Sequence, residues 1–291
     1  MSKQYYWACR CTSFYLHVLH FCIFSQPKVG AMGFMRLGTR VAVINEKREI
    51  LLSKRGDFGV WALPGGRVDS GEWLPESAVR EVKEETGLDV EIVRAVGLYY
   101  QQGRGRTNIL YEARPVGGEL FARTEETLDN QFFAQDALPT ERFGDFYVQH
   151  AFGGDVYLYT LETSAWELFK IDMQLRWRWV QNLLAGRPEP SFVEFDIRAV
   201  GIVTDEDNTP ITVIRQKSDG RVAIPALLAK TNIETWQWIG VWQDTTSDVI
   251  EFVFMGQATD QSTQASETFS DHDSTLIEQM QHNTPVWTIG Q

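Results

Sequence analysis

The stretch GGRVDSGEWLPESAVREVKEETGL, residues Gly65–Leu88, joins a glycine pair to a densely acidic segment. Pro75 suits the first turn of a helix and Gly87 suits its C-terminal cap, so a helix is predicted between them. Residues three and four apart are neighbours on a helix surface, which gathers three carboxylates on one face: Glu81, Glu84 and Glu85. Like charges at this spacing destabilise a helix by about 0.2–0.5 kcal/mol per pair. A glutamate-rich helix is most often a solvated face, and the alternative is a site where bound cations turn this repulsion into attraction.

The composition of the chain supports the same interpretation. The chain has 291 residues and a formal net charge of −12. This charge argues against broad nucleic-acid binding and against binding to an anionic membrane, because no basic field attracts phosphates. A phosphate-bearing ligand would need a divalent cation as a bridge. The length allows one large domain or two of ordinary size.

The N-terminal region differs in composition from the rest of the chain. It contains all three cysteines: Cys9, Cys11 and Cys22. This distribution predicts no disulfide framework and favours a reducing cytoplasm. Tyr5–Phe24 is apolar but interrupted by Arg10 and two histidines, so it does not predict a membrane-spanning helix. We expect residues 1–34 to form a poorly ordered extension, with a signal peptide as the alternative.

The acidic segment matches the Nudix box over 23 residues with fixed gaps. The matching positions are Gly66, Glu72, Arg80, Glu81, Val82, Glu84, Glu85, Gly87 and Leu88. The preceding Ala62–Gly66 also resembles the usual lead-in of the Nudix hydrolase family. A nine-position match of this kind is far more specific than a lone glycine motif. The resemblance implies an α/β fold with a mixed β-sheet sandwiched between helices.

The resemblance also implies an activity. It predicts a hydrolase acting on acid anhydrides in phosphorus-containing compounds, specifically an Mg²⁺-dependent pyrophosphohydrolase. Water would attack a diphosphate linkage in a nucleoside diphosphate derivative or a nucleoside triphosphate. Mg²⁺ prefers oxygen ligands and lowers the pKa of bound water, and Mn²⁺ is an alternative ion. The other hypothesis is a nucleotide-sensing or regulatory protein that binds without hydrolysis.

Individual roles follow from the same resemblance. The implied metal ligands are one loop carbonyl and three carboxylates: Gly65, Glu81, Glu84 and Glu85. Glu81 serves as a ligand or as the base, Arg80 orients the carboxylates, and Glu72 braces the loop. Many members use a further glutamate outside the box. Our candidate is Glu126, and its neighbours in the sequence remain alternatives: Glu112, Glu119 and Glu125.

Substrate contacts are predicted on both sides of the box. Arg104 and Arg106 lie in a glycine-rich turn where the family often selects its substrate, and an exposed hairpin tip is the alternative. Trp61 and Phe58 could stack on a base or pack under the loop. Members specialised for ADP-ribose often carry a proline where this chain has Gly103, so membership of that subgroup is not supported.

The rest of the first predicted domain, residues 35–190, supplies strands and a second helix. The turn Asn45–Arg48 lies between two short β-rich runs and predicts a hairpin. Ser164–Ala185 is predicted to be a helix that covers the sheet opposite the acidic helix. Its large apolar residues recur at helical spacing and are expected in the core: Trp166, Phe169, Met173, Trp177, Val180 and Leu184.

After the linker Arg187–Pro190 the pattern of strands and turns begins again. Arg198–Pro225 resembles Thr39–Pro64, and a later pair of strands places Gly240 opposite Gly97. The acidic helix has no counterpart in this second copy.

Residues 191–291 are therefore predicted to be a smaller, helix-less, degenerate Nudix-like domain without catalytic activity. Its tryptophans are expected in a core or against the first domain: Trp236, Trp238 and Trp242. The expected partner is a nucleotide-type small molecule, and a homodimer is left open.

Overall fold

A computed structural model describes residues 35–56, 59–102, 104–186, 193–219, 223–229, 233, 235–258, 269–282 and 287–290. The predicted N-terminal extension, Phe58 and Gly103 lie outside the described residues. None of the helices within these ranges is both long and apolar enough to cross a membrane.

The first sheet contains four strands in the order β1-β5-β4-β7. Their bounds are β1 Arg36–Val43, β4 Leu88–Gln101, β5 Arg106–Gly118 and β7 Tyr157–Leu161. β4 and β5 pair antiparallel on the two sides of the glycine-rich turn. β1 pairs parallel with β5, and β7 pairs parallel with β4. The sheet is therefore mixed, which confirms that part of the predicted fold class.

A second, three-stranded sheet has the order β3-β2-β6. Its strands are β2 Ile50–Arg55, β3 Trp61–Ala62 and β6 Thr127–Phe133. The predicted β1–β2 hairpin is wrong, because the two strands lie in different sheets and meet at an isolated bridge between Ile44 and Ile50. The Asn45 side-chain oxygen accepts from the backbone N–H groups of Lys47 and Glu49, at 3.0 and 2.9 Å. This turn leads the chain from one sheet into the other.

The acidic helix forms where it was predicted, as α1 (Leu74–Thr86). Gly87 ends it with φ of 80°, a left-handed conformation that favours glycine. Leu74, Ala78 and Val82 are fully buried on the face that packs into the core. That burial holds the helix in place and leaves its acidic face toward the glycine loop.

The helix that covers the opposite side of this sheet is α2 (Asp145–Gly153), which the sequence analysis did not predict. Tyr147, Val148 and Ala151 on α2 are buried in one cluster with residues of the first sheet. The short length of α2 and its weak apolar periodicity hid it from pattern analysis.

The predicted Ser164–Ala185 helix is present as α3 (Ala165–Leu184). It belongs to a compact unit separate from the one that contains the sheets. The expectation that its apolar stripe lies in the core is wrong: Trp177 and Leu184 are 65% and 82% exposed. Helical periodicity identifies an apolar face, but it does not supply the surface that covers it.

Five more strands form a third sheet in the order β12-β10-β11-β8-β9. They are β8 Asp196–Thr204, β9 Pro210–Lys217, β10 Gln237–Asp244, β11 Val249–Gln257 and β12 Trp287–Gly290. β8 pairs parallel with β11, β10 antiparallel with β11, and β12 parallel with β10. The strands β8, β11, β10 and β12 therefore have the same order and the same relative directions as β1, β5, β4 and β7 of the first sheet.

The register of the two sheets agrees with this likeness. Gly97 follows a register shift in its antiparallel ladder and is the first residue of β4 that pairs with β7. Gly240 likewise follows a shift and is the first residue of β10 that pairs with β12. The shared topology supports the interpretation of residues 191–291 as a degenerate repeat.

The segment after β9 differs from its counterpart in the first half. A short 3-10 helix, Ile224–Leu228, lies between β9 and β10, where the first half carries α1. The expectation of a helix-less copy is nevertheless wrong, because α4 (Asp271–His282) follows β11. Leu276 on α4 is fully buried against Val200, Ile202 and Val253. The sequence did not predict α4, because its residues are mostly polar and form only a short apolar face.

One hydrophobic cluster contains residues from both predicted domains. It includes Leu37 and Ile109 of the first sheet together with Ile197, Trp238 and Phe252 of the third. The first and third sheets also fall in the same compact unit, Gly33–Glu162 with Phe192–Gln291. The third sheet is therefore part of the surroundings of the acidic helix.

Candidate active site

Arg80 lies at the centre of the acidic cluster on α1. Its guanidinium binds Glu72 through two hydrogen bonds, from Nε at 2.6 Å and from Nη2 at 3.0 Å. Its Nη1 donates to Glu81 Oε1 at 3.0 Å and to Glu84 Oε2 at 3.1 Å. The planar fork of arginine suits such paired contacts. Burial opposes ionisation of Glu72, but the hydrogen bonds from Arg80 and from the Asp69 N–H lower its pKa overall.

Glu81 lies directly over Gly66. A Cβ atom added at Gly66 would collide with the Glu81 carboxylate and displace it from this position. Burial raises the pKa of Glu81, and the charges of Glu84 and Glu126 raise it further, against the opposing effect of Arg80. Glu81 is thus a carboxylate whose charge is poorly compensated by its surroundings.

Glu85 is held by the first glycine of the loop. The Gly65 N–H donates to Glu85 Oε2 at 2.9 Å. Burial raises the pKa of Glu85 to about 7, and the Glu81 charge adds to the shift against Gly65 and Arg40. The Gly65 carbonyl, predicted as a metal ligand, accepts a hydrogen bond of 2.6 Å from Arg40 Nη1. Gly65 has φ of 133°, where a side chain would be strained.

These residues fit a hard divalent cation by their chemistry. All the donors are oxygens, and the half-buried carboxylates of Glu81 and Glu85 carry raised pKa values that a cation would lower. Glu84, with a side chain 60% exposed, can turn toward the buried pair. In the described part of the chain, no three acidic, histidine or cysteine side chains converge closely enough to hold an ion as they stand. Ligation by the predicted residues therefore stays a prediction.

Among the glutamates considered outside the box, Glu126 carries a charge that helps to raise the pKa of Glu81. It lies just before β6, where its carbonyl accepts from the Gly56 N–H at 3.0 Å. Glu112 is instead paired with Arg94 at 2.7 Å. The assignment of Glu126 as the further glutamate of the site stays a prediction.

Arg104 and Arg106 line a cavity of about 60 Å³ beside the box loop. Two further arginines, Arg36 at the start of β1 and Arg67 in the loop, line the same cavity. Burial lowers the pKa of Arg106 to about 9, and the charges of Arg40 and Arg104 lower it further. Sequence analysis missed Arg36 and Arg67 because a strand end and an unspecified box position carry no functional signal.

Trp61 packs on the protein rather than standing free. Its ring meets Phe133 edge-to-face, with centroids 4.9 Å apart, and its backbone N–H donates to the Glu141 carbonyl. The side chain is partly buried against the cluster under α2. This arrangement favours the packing alternative, and stacking on a substrate base stays a prediction.

A family model described as "NUDIX domain" matches residues 35–151. The chain is 39% identical over 102 residues to a putative 8-oxo-dGTP diphosphatase of Bacillus subtilis (strain 168), covering 35% of this chain and 68% of that protein. It is 37% identical over 108 residues to an ADP-ribose pyrophosphatase of Methanocaldococcus jannaschii, covering 35% of this chain and 63% of that protein. The chain thus spans about two thirds of the length of these curated relatives.

A solved structure of an ADP-ribose pyrophosphatase from Streptococcus suis is 31% identical, with a TM-score of 0.37. The match covers 43% of this chain and 98% of that one. The matched region contains the glycine loop and α1, where the box had suggested the resemblance. The predicted membership is therefore confirmed, and this chain belongs to the NUDIX family.

Proposed function

We propose that the chain is a pyrophosphohydrolase that uses Mg²⁺ or Mn²⁺ to split a diphosphate linkage in a nucleoside triphosphate or nucleoside diphosphate derivative. The observation that carries this proposal is the cluster on α1. Glu81 and Glu85 are half-buried against a glycine pair and have raised pKa values, and the neighbouring Arg80 binds Glu72, Glu81 and Glu84. Burying such charges is costly unless a cation compensates them.

The residues of the chain have distinct roles in this proposal. Glu81, Glu84, Glu85 and the Gly65 carbonyl would hold the ion, and Arg80 keeps two of these carboxylates in place. The bound ion would neutralise substrate phosphates and lower the pKa of the attacking water. Glu126, close enough to affect Glu81, would accept the proton of that water.

Substrate phosphates are proposed to bind in the arginine cavity, formed by Arg36, Arg67, Arg104 and Arg106. The cavity adjoins the box, because a Cβ atom added at Gly38 would lie 2.7 Å from the Gly66 carbonyl and 3.3 Å from Arg106 Nη2. Arg106 lies among like charges. An anion placed there would relieve this repulsion, which is strong at low effective dielectric. A phosphate-bearing substrate therefore suits the cavity.

The test is a substrate panel with the purified full chain, Mg²⁺ or Mn²⁺, and analysis of the products. The panel includes 8-oxo-dGTP and ADP-ribose, because relatives of the chain are named for them. We expect release of phosphate, pyrophosphate or a nucleoside monophosphate, and loss of that activity in Glu85→Gln. Tight nucleotide binding without turnover would contradict the hydrolase and support the binding alternative. The cytoplasmic location, the homodimer and the silent 191–291 domain remain predictions from the sequence.

A further inference from the structure

We propose that the third sheet positions the active site, with Gln243 and Asp248 as positioning residues that clasp the box loop. This inference rests on the proposed function. The loop in question comprises residues 70–73, which lead from the glycine pair into α1 and include Glu72. Neither clasp residue belongs to the Nudix box, and both lie beyond the region that matches the family model.

Gln243 holds the start of α1 through both ends of its side-chain amide. Its Nε2 donates to the Glu72 carbonyl at 2.6 Å, and its Oε1 accepts from the Leu74 N–H at 3.1 Å. Gln243 is only 1% exposed, so its amide depends on these partners to replace water. A buried amide used at both ends fixes the position of the backbone between its contacts.

The contact to Leu74 replaces a missing helix cap. The residue at the N-cap of α1 is Trp73, whose side chain makes no capping hydrogen bond. The first N–H groups of a helix have no partner within the helix and need an acceptor from outside. Gln243 supplies that acceptor to Leu74 from a strand of the third sheet.

Asp248 holds the preceding part of the loop. Its carboxylate accepts from the Gly71 N–H at 3.1 Å and from the Ser70 hydroxyl at 2.5 Å. Asp248 lies in the turn between β10 and β11, with φ of 54°. β10 and β11 are hydrogen-bonded along their length, so Gln243 and Asp248 contact the loop from the same rigid strand pair.

Gln243 and Asp248 influence the carboxylates of α1 through Glu72. The backbone of Glu72 is held by Gln243, and its side chain holds Arg80, which in turn binds Glu81 and Glu84. A loop freed from the third sheet would let Glu72 move and Arg80 lose its fixed orientation. Substitution of a residue that orients metal ligands in this way commonly weakens metal binding by about 10–100-fold.

The test uses the full chain carrying Gln243→Met, which keeps the shape and removes both contacts. Two further variants form a matched pair at position 248. Asp248→Gly removes the carboxylate without backbone strain, and Asp248→Asn keeps an acceptor oxygen and tolerates positive φ. Hydrogen exchange at the Gly71 and Leu74 amides is measured without metal. Mn²⁺ affinity is measured by electron paramagnetic resonance without nucleotide, well below the unfolding temperature.

We expect faster exchange at both amides and about tenfold weaker Mn²⁺ binding in Gln243→Met and Asp248→Gly, with Asp248→Asn close to the parent. The matched control is Val253→Ala, which opens a hole in the third sheet away from the loop. It should lower the unfolding temperature and leave Mn²⁺ affinity unchanged. If Gln243→Met does not fold, the Asp248 pair carries the test alone.

Parent-like exchange and Mn²⁺ affinity in the clasp variants would overturn the inference, even in a chain that hydrolyses nucleotides. Equal weakening by Val253→Ala would also overturn it, because general destabilisation would then explain the effect. Weakened Mn²⁺ binding in the clasp variants of a chain that hydrolyses no nucleotide would instead refute only the proposed function.

Discussion

Arg80 and Glu72 form a two-point pair, with Nε and Nη2 of the arginine at 2.6 and 3.0 Å from the two carboxylate oxygens. The third nitrogen of the same guanidinium is left for Glu81 and Glu84. One side chain thereby links the loop to the acidic face of α1. This link orients the carboxylates of Glu81 and Glu84. It also places a positive charge beside them in a protein with a net charge of −12.

Arg80→Lys should lower kcat/KM by about 10–100-fold, because a lysine ammonium cannot hold Glu72 at two points and also reach the α1 carboxylates. Steady-state kinetics at saturating Mg²⁺ measures the effect, with circular dichroism as a check on folding. The matched control is Arg114→Lys, which alters an exposed pair with Glu91. Equal activities of the two variants would contradict the orienting role.

Gly66→Ala should abolish activity, because its Cβ would collide with the Glu81 carboxylate. The carboxylate would be displaced from the position where the proposed ion binds. Gly117→Ala is the matched control, since a Cβ there makes only ordinary contacts, the nearest at 3.6 Å. Activity assays and thermal unfolding of both variants give the comparison. Retained activity in Gly66→Ala would show that Glu81 does not need its observed position.

The metal-free protein should become less stable as the pH rises from about 4.5 to about 7. Burial raises the folded-state pKa of Glu85 to about 7, from an ordinary value of 4.5. The folded state therefore keeps a proton in this window that the unfolded state has lost, so rising pH favours unfolding.

Glu85→Gln should remove this penalty and stabilise the metal-free protein at pH 8 by about 1–3 kcal/mol, while abolishing hydrolysis. Chemical unfolding with a chelator present, at pH 5 and pH 8, measures the change in stability, and a hydrolysis assay with Mg²⁺ measures the loss of activity. Glu76→Gln, a change in the first turn of α1, is the control for altered helix charge. A pH dependence unchanged by Glu85→Gln would assign the titration to another group.

Arg106→Gln and Arg67→Gln should raise KM for the nucleotide substrate about tenfold each with a smaller change in kcat, because they bind phosphate rather than the reacting water. Steady-state kinetics with one substrate from the panel is sufficient. Arg123→Gln removes an exposed charge outside the cavity and serves as the control for net charge. A loss confined to kcat would place these arginines at the reacting atoms instead.

Local chemistry explains why much of the site was predictable. The spacing of Glu81, Glu84 and Glu85 places them on one helical face wherever that helix lies, and Pro75 and Gly87 bound the helix. The β4–β5 hairpin and its glycine-rich turn are local for the same reason. Both features depend on neighbours in the chain.

Other predictions failed where distant surfaces decide the structure. The α3 stripe has a correct helical period, yet Trp177 and Leu184 remain exposed, because periodicity does not supply a covering surface. The unpredicted α2 covers the first sheet instead. The β1 and β2 strands separate into two sheets because their partners, β5 and β6, come from later in the chain.

The sequence by itself determined the family and the acidic helix, since both follow from residue types at short, fixed spacing. Only the tertiary structure decided that four arginines share one cavity and that Gln243 caps α1. These relationships join residues far apart in the chain. They arise from burial of one core shared by both halves, which no local pattern encodes.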